Sequence, residues 1–167
     1  AVLGGGAGTL KVCAVPAQEL FRRAIAPLRD LARERGVTIH VLAPSDLATI
    51  SCEPEGIEVA LRAVVRNGIE FNRHGGQVTV EVRRASREHT PWLTLLVIDN
   101  GAGIAEADLG RVCAAFWQGA DAGAGKRYGL GLGLTIAKRV LENHGGELSI
   151  SSTFGEGTRV ELALPQA

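Results

Sequence analysis

The sequence predicts an α+β domain, a sheet with helices packed on one face. Three stretches place apolar residues at helical spacing, and β-branched or alternating runs fall in a mixed order among them. At 167 residues, the chain has room for one domain with a proper core and hardly for two.

Residues 1–9 carry Gly4, Gly5, Gly6 and Gly8 and read as a linker, leaving residues 10–167 as the domain. Residues 10–15 are a short strand candidate. Residues 17–35 read as a helix, with Leu20, Phe21, Ala24, Leu28, Leu31 and Ala32 at helical spacing and Gly36 as the stop. Pro27 falls inside it. An interior proline removes a hydrogen bond at a cost of about 3 kcal/mol, so a kink, or a start near Pro27, is expected. Residues 37–42 alternate and predict a strand. A second helix covers 55–72, with an inner stripe of Ile57, Leu61, Val64, Val65 and Gly68 and an outer face of Glu58, Arg62, Arg66 and Glu70.

Residues 78–82 and 92–98 are the next strands. A short helix at most fits 105–115, and 117–128 is rich in Gly and Ala. A third helix is predicted over 131–144, with Leu132, Ile136 and Val140 on one face. Residues 148–152 and 158–164 close the chain as a hairpin around Gly155-Glu156-Gly157.

Composition narrows the function. The hydrophobic fraction is 46% and the charged fraction 22%, which suit a globular chain rather than a disordered one. Eighteen Lys and Arg balance eighteen Asp and Glu, which argues against a sequence-blind nucleic-acid binder. No apolar run is long enough to span a membrane. Cys13, Cys52 and Cys113 are few, odd in number and far apart; they suit a reducing cytosol and exclude a disulfide framework or a zinc knuckle. There is no Met, residue 1 is Ala, and no signal-peptide pattern follows, so the chain reads as a piece of a longer protein.

Four segments carry the chemistry. Asn67 and Phe71 are four apart and project on one side of the second helix. An amide oxygen and a ring facing one space suit a metal–phosphate group and a flat base; a helix-end Asn beside a core Phe is the plainer alternative. Asp99-Asn100-Gly101-Ala102-Gly103-Ile104 follows an apolar strand. It is either ordinary turn chemistry or a carboxylate at a pocket floor, with glycines that let a flat ligand approach the backbone. Such a carboxylate accepts a hydrogen bond from an exocyclic amine, worth about 1.5–3 kcal/mol. Gly129-Leu130-Gly131-Leu132-Gly133-Leu134 opens a helix, where free N–H groups suit phosphate. A Walker A loop fails because Gly125-Lys126 is followed by Arg127, and a dinucleotide fingerprint fails for want of a preceding strand. Gly155-Glu156-Gly157-Thr158 alone is a hairpin turn.

In this order and at these separations, the segments resemble the ATP-binding catalytic domain of sensor histidine kinases, which shares its fold with gyrase, heat-shock chaperone and mismatch-repair ATPases. Asn67 with Phe71 resembles the N box, Asp99-x-Gly101-x-Gly103-Ile104 the G1 box, Phe116 the end of the F box, and Gly129-x-Gly131-Leu132-Gly133-Leu134 the G2 box. His144-Gly145-Gly146 and Gly155-x-Gly157-Thr158 match the family's usual ending. The resemblance implies a two-layer α/β sandwich: a mixed, mostly antiparallel sheet of about five strands, covered on one face by three helices, with a mobile ATP lid over 117–128.

The same resemblance implies ATP and Mg²⁺ as cofactors. Asn67 would bind the magnesium through its side-chain oxygen. Asp99 would read the adenine amine, with Gly101, Gly103 and Ile104 beside the base and Phe71 packed near it. Gly129, Gly131 and Gly133, with Leu132 and Leu134, would form the phosphate cradle. Thr158 would support Asp99 through its hydroxyl. Its partners would be its own dimerisation and phosphoacceptor domain and a downstream response regulator, in the cytoplasm, with no nucleic acid and no membrane contact by this fragment.

This sequence departs from the pattern at several positions. Glu70 stands where the family usually has Lys or Arg, and a carboxylate near phosphate repels it by on the order of a kcal/mol or more. If Glu70 instead pairs with Arg66, then Arg73, Lys126 or Arg127 must supply the charge. Ala63 replaces a usual Asn, or the Glu that activates water in gyrase-like hydrolases, which favours phosphoryl transfer over hydrolysis. Cys113 and Ala115 replace the Phe and Pro of the F box. His144 reads as a helix-end residue, and His40, His74 and His89 lack the acidic setting of a phosphoacceptor. The expected activity is therefore transfer of the ATP γ-phosphate to a histidine on a separate domain. The alternatives are a degenerate module that binds nucleotide or a partner, and a serine-directed anti-sigma-factor kinase.

Overall fold

A computed structural model of the chain describes residues 9–107, 109 and 131–166, with only the backbone at 131 and 132. The expectations for Cys113, Ala115, Phe116, Lys126, Arg127, Gly129, the segment 117–128 and nearly all of the linker lie outside the described residues.

In chain order the elements are β1 (Cys13–Pro16), α1 (Ala17–Ile25), a 3-10 turn (Ala26–Leu28), α2 (Arg29–Arg35), β2 (Thr38–Leu42), β3 (Thr49–Cys52), α3 (Pro54–Glu70), β4 (Gln77–Arg87), β5 (Thr90–Asp99), α4 (Gly131–Asn143), β6 (Glu147–Thr153) and β7 (Gly157–Pro165). Five strands form one sheet in the order β2-β4-β5-β7-β6. Only β2 and β4 pair in parallel; the other neighbours are antiparallel. The predicted mixed, mostly antiparallel sheet is therefore present. β1 and β3 make a separate antiparallel pair. Sequence reading missed β3, because four residues in a polar setting carry too little alternation to register.

Pro27 breaks the first helix as expected. It sits in the 3-10 turn between α1 and α2, where its missing N–H costs no regular helical bond. α3 starts where local chemistry starts it: Pro54 occupies the first turn and Glu53 caps it, its carboxylate accepting the Gly56 N–H at 2.8 Å. Its inner stripe of Ile57, Leu61, Val64, Val65 and Gly68 is buried, together with Ala60 and Ile69. On the outer side Arg66 pairs with Glu70 at 2.9 Å.

On the face expected to carry Leu132, Ile136 and Val140, Val140 is partly buried against the core but Ile136 is 44% exposed, and the fully buried residues of α4 among those described are Leu134, Ala137 and Leu141. Both sets have helical spacing, so the periodicity finds the helix but not its phase. Packing against α3 sets the phase: a Cβ at Gly133 would lie 3.4 Å from Ala63 Cβ, and one at Gly56 would lie 3.3 Å from Val140 Cγ1. These two approaches make α3 and α4 antiparallel neighbours.

The run Leu95-Leu96-Val97 is buried throughout. Leu95 and Val97 pair across the sheet with core residues, whereas Leu96 stands between Glu81 and Glu161. Those carboxylates pair with Arg83 and Arg159. Among the described residues, none of the helices is long and apolar enough to cross a membrane.

Candidate functional site

α3 lies on the sheet at Gly68, where an added Cβ would meet Val78 at 3.2 Å and Asp99 Cβ at 3.7 Å. The absent side chain lets the last two turns of the helix approach the end of β5. A cavity of about 210 Å³ opens between them, lined by Val64, Asn67, Gly68 and Phe71 on α3 and its cap, Val97, Asp99 and Ala102 to Ile104 at the end of β5, Leu134 on α4, and Ile150, Thr158 and Val160 on the last hairpin.

Among the described residues, Asp99 is the only carboxylate in this lining. Burial pushes its carboxyl above the usual carboxylate range, while hydrogen bonds from the backbone of Gly101 and Thr158 pull the other way. The Gly101 N–H reaches Asp99 Oδ1 at 2.9 Å. Gly103 has φ +68, and a Cβ there would overlap the Thr153 carbonyl oxygen, so the loop needs glycine at that point. The hairpin in turn holds the loop, with the Gly155 N–H donating to the Ala102 carbonyl at 2.7 Å.

Asn67 stands at the rim with its amide nitrogen buried and without a partner. A half-turn of the amide exchanges its nitrogen and oxygen, so this side chain can donate to a phosphate oxygen or offer a carbonyl oxygen to a hard cation. Among the described residues, no three His, Cys, Asp or Glu side chains cluster to hold a metal by themselves. An amide oxygen supplemented by phosphates and waters is nonetheless a donor set that Mg²⁺ accepts. The residues present therefore fit a nucleotide with its magnesium.

Of the residues singled out in the sequence, Asn67, Phe71, Asp99, Gly103, Ile104, Leu134 and Thr158 line this single cavity. Gly101 supports it from behind, packed under the Phe71 carbonyl and bonded to Asp99. Gly131, Leu132 and Gly133 form the first turn of α4, whose N–H groups lack acceptors within the helix. Glu70 does not line the cavity and is engaged by Arg66. The Thr158 hydroxyl lies 2.9 Å from Ser152 Oγ, so Thr158 supports Asp99 through its backbone instead of its hydroxyl. Val160 and Ile150 were not anticipated as lining residues, although their positions on the inward side of two strands make them readable once the register is known. Ser152 gave no signal in the sequence.

Among the described residues, the lining holds no histidine and no cysteine. It suits binding a flat ring with a donor edge, and orienting what is attached to that ring, more than proton transfer.

Residues 52–167 match the family of histidine kinase-, DNA gyrase B- and HSP90-like ATPases, and the chain belongs to that family. Histidine protein kinase DivJ of Caulobacter vibrioides is 31% identical over 149 residues, covering 89% of this chain and 24% of that protein. The autoinducer 2 sensor kinase/phosphatase LuxQ of Vibrio cholerae is 33% identical over 138 residues, covering 82% of this chain and 16% of LuxQ. The crystal structure of full-length ShkA in complex with AMPPNP matches with a TM-score of 0.79 at 25% identity, covering 99% of this chain and 33% of that one. The chain thus spans 24% or less of the two curated relatives named.

Proposed function

We propose that this chain is the ATP-binding catalytic module of a two-component sensor histidine kinase, and that it presents the γ-phosphate of ATP to a histidine on a separate dimerisation and phosphoacceptor domain. The observation that carries this reading is the half-buried Asp99 carboxylate in a mostly apolar cavity, with the unpartnered amide nitrogen of Asn67 in the same lining. Asp99 accepts a hydrogen bond from the exocyclic amine of adenine. Phe71, Ile104, Leu134 and Val160 exclude water from the ring, and Gly103 keeps the loop close to it. Asn67 and the first turn of α4 at Gly131 and Gly133 face the phosphates. Lys126, Arg127 and Gly129 are assigned to phosphate binding by the family resemblance of the sequence alone. Asn67 would hold Mg²⁺ through its side-chain oxygen, and the ion would supply charge neutralisation at the phosphates. Catalysis by this module is positioning, with the attacking nitrogen and any base beside it supplied by the acceptor domain. A response regulator receives the phosphoryl group afterwards.

The rival reading, a degenerate regulatory module, drew partly on Glu70. The Arg66–Glu70 pair accounts for that residue without placing it near a phosphate. The reading is tested by supplying a phosphoacceptor domain with ATP and magnesium and following phosphohistidine. Transfer that is lost in Asn67→Ala supports it; undiminished transfer in that variant overturns it.

A further inference from the structure

β1 and β3 bring two thiols that are far apart in sequence directly opposite each other, Cys13 against Cys52. The register continues one step beyond the strands, where the Ala17 N–H donates to the Ala48 carbonyl at 3.1 Å. Hydrogen-bonded pairs alternate along an antiparallel ladder, so Ala17–Ala48, Val15–Ile50 and Cys13–Cys52 are of one kind. Such pairs have Cα atoms about 5.5 Å apart, inside the range of about 4.4–6.8 Å that a disulfide spans. Side chains two apart share a strand face, so both thiols stand on the face that carries the buried Val15 and Ile50.

The two strands are held unequally. Gln166 brackets Ser51 on β3, its Oε1 accepting the Ser51 N–H at 2.8 Å and its Nε2 donating to the Ser51 carbonyl at 3.2 Å. Glu53, the residue after β3, is tied to His144. Among the described residues, β1 has only β3 as a strand partner, and Cys13 is its first residue and exposed. Cys13 is thus open to a reagent from solvent, while Cys52 stands buried on the better-anchored strand.

We propose that Cys13 and Cys52 form a thiol–disulfide exchange site that takes a low-molecular-weight disulfide of the glutathione type and closes a covalent link between β1 and the residue preceding the α3 cap. The inference goes beyond the nucleotide reading and does not depend on it. In the first step the Cys13 thiolate attacks one sulfur of glutathione disulfide. That S–S bond breaks, a mixed disulfide forms on Cys13, and one glutathione leaves as its thiolate. In the second step Cys52 gives up its proton to water and attacks Cys13 Sγ. The protein disulfide forms and the second glutathione thiolate leaves. The two protons released by the cysteines end on the two glutathione thiols, so two cysteines are oxidised and one glutathione disulfide is reduced. Burial holds Cys52 protonated, its thiol pushed up to about 12, so the first attack falls to Cys13. The closing step relies on proximity, which replaces a bimolecular encounter by an intramolecular one. In a reducing compartment the pair rests as thiols, and it closes when the glutathione pool is oxidised.

The test incubates the reduced whole chain with glutathione disulfide at pH 8, blocks the remaining thiols in denaturant, and maps the non-reduced peptides by mass. The expected product joins the Cys13 and Cys52 peptides and reopens with dithiothreitol. Cys52→Ser should stop at the glutathione adduct on Cys13, and Cys13→Ser should leave Cys52 unmodified. If Cys52→Ser melts below the assay temperature, Cys52→Ala takes its place; Cys13→Ser changes an exposed residue and keeps the comparison intact. The linked chain should also melt above the reduced one, since a link that fits the fold constrains the unfolded chain. A wild-type chain that does not react or stops at the Cys13 adduct overturns the proposal. So does a link to Cys113 in place of Cys52, or a linked chain that melts below the reduced one.

Discussion

The His144 imidazole accepts the backbone N–H of Glu53 through Nε2 at 3.0 Å, so the end of α4 is tied to the start of α3. Its Nδ1 lies 2.8 Å from the Val140 carbonyl oxygen, which requires the proton on Nδ1 and leaves Nε2 as the acceptor. Both ring nitrogens are engaged in structural bonds. His144→Ala should therefore destabilise the chain by about 1–3 kcal/mol, since it strands a backbone donor as well as losing a bond. Urea unfolding followed by circular dichroism measures this, and an unchanged midpoint would contradict the role.

Asp99 ties two pH effects of opposite sign to one carboxyl. Because its pKa is raised, the folded chain holds that proton where the unfolded chain has released it. Within the window between the ordinary and the raised value, the free protein therefore gains stability as pH falls. Nucleotide affinity moves the other way, since acceptance from an amine needs the ionised carboxylate. Titrations between pH 8 and pH 4 should show affinity falling at a higher pH than an ordinary carboxylate would give. Asp99→Asn should bind at least tenfold more weakly, a loss of ~1.4 kcal/mol or more, and should lack this carboxylate step.

Glu70→Ala should leave ATP affinity within about twofold of wild type. Its carboxylate is held by Arg66 at 2.9 Å on the outer side of α3, where an exposed pair contributes only about 0.3–0.5 kcal/mol to stability. A large gain in affinity would mean instead that Glu70 repels the phosphates.

Cys13 and Cys52 are directly opposed across the β1–β3 pair, but their environments differ. Cys13 is exposed; Cys52 is buried, and burial, with the neighbouring Cys13, Glu53 and Glu58, pushes its thiol up to about 12. Iodoacetamide at pH 8 should modify Cys13 and spare Cys52 until denaturant is added, as read by peptide mass mapping. The stabilising contribution of the protonated Cys52 is complete below its ordinary value near 9 and is lost as pH rises toward about 12.

Gly103→Ala should disorder the loop after β5, because φ +68 and the Thr153 carbonyl both oppose a Cβ. The expected cost is about 1–3 kcal/mol in stability, with nucleotide affinity reduced in parallel. A melt and a titration on the same sample check both.

What was legible in the sequence were features with a local cause. Pro27 announced the break between α1 and α2, and the stripe from Ile57 to Gly68 announced which side of α3 is buried. Asn67, Asp99 and Gly103 each leave a local mark, at a helix end, at a strand end and in paired glycines, and it is the resemblance of their order and separation to a known family that joins them into one site. Features decided by partners distant in sequence were not legible. Leu134 and Ile136 exchange core and solvent according to how α4 meets Ala63. Ser152 matters only because Ile104, 48 positions away, points its N–H at it.

α3 lies, after β3, in the connection between the parallel strands β2 and β4, and its cap residue Glu53 is bonded to His144 at the end of α4. It cannot swing outward without parting both the sheet edge and that helix junction. Its amides from Leu61 to Ile69 should therefore exchange with deuterium only through global unfolding, among the slowest in the chain. One wall of the cavity thus serves as an anvil, and among the described residues accommodation of a ligand falls to the loop and hairpin facing it.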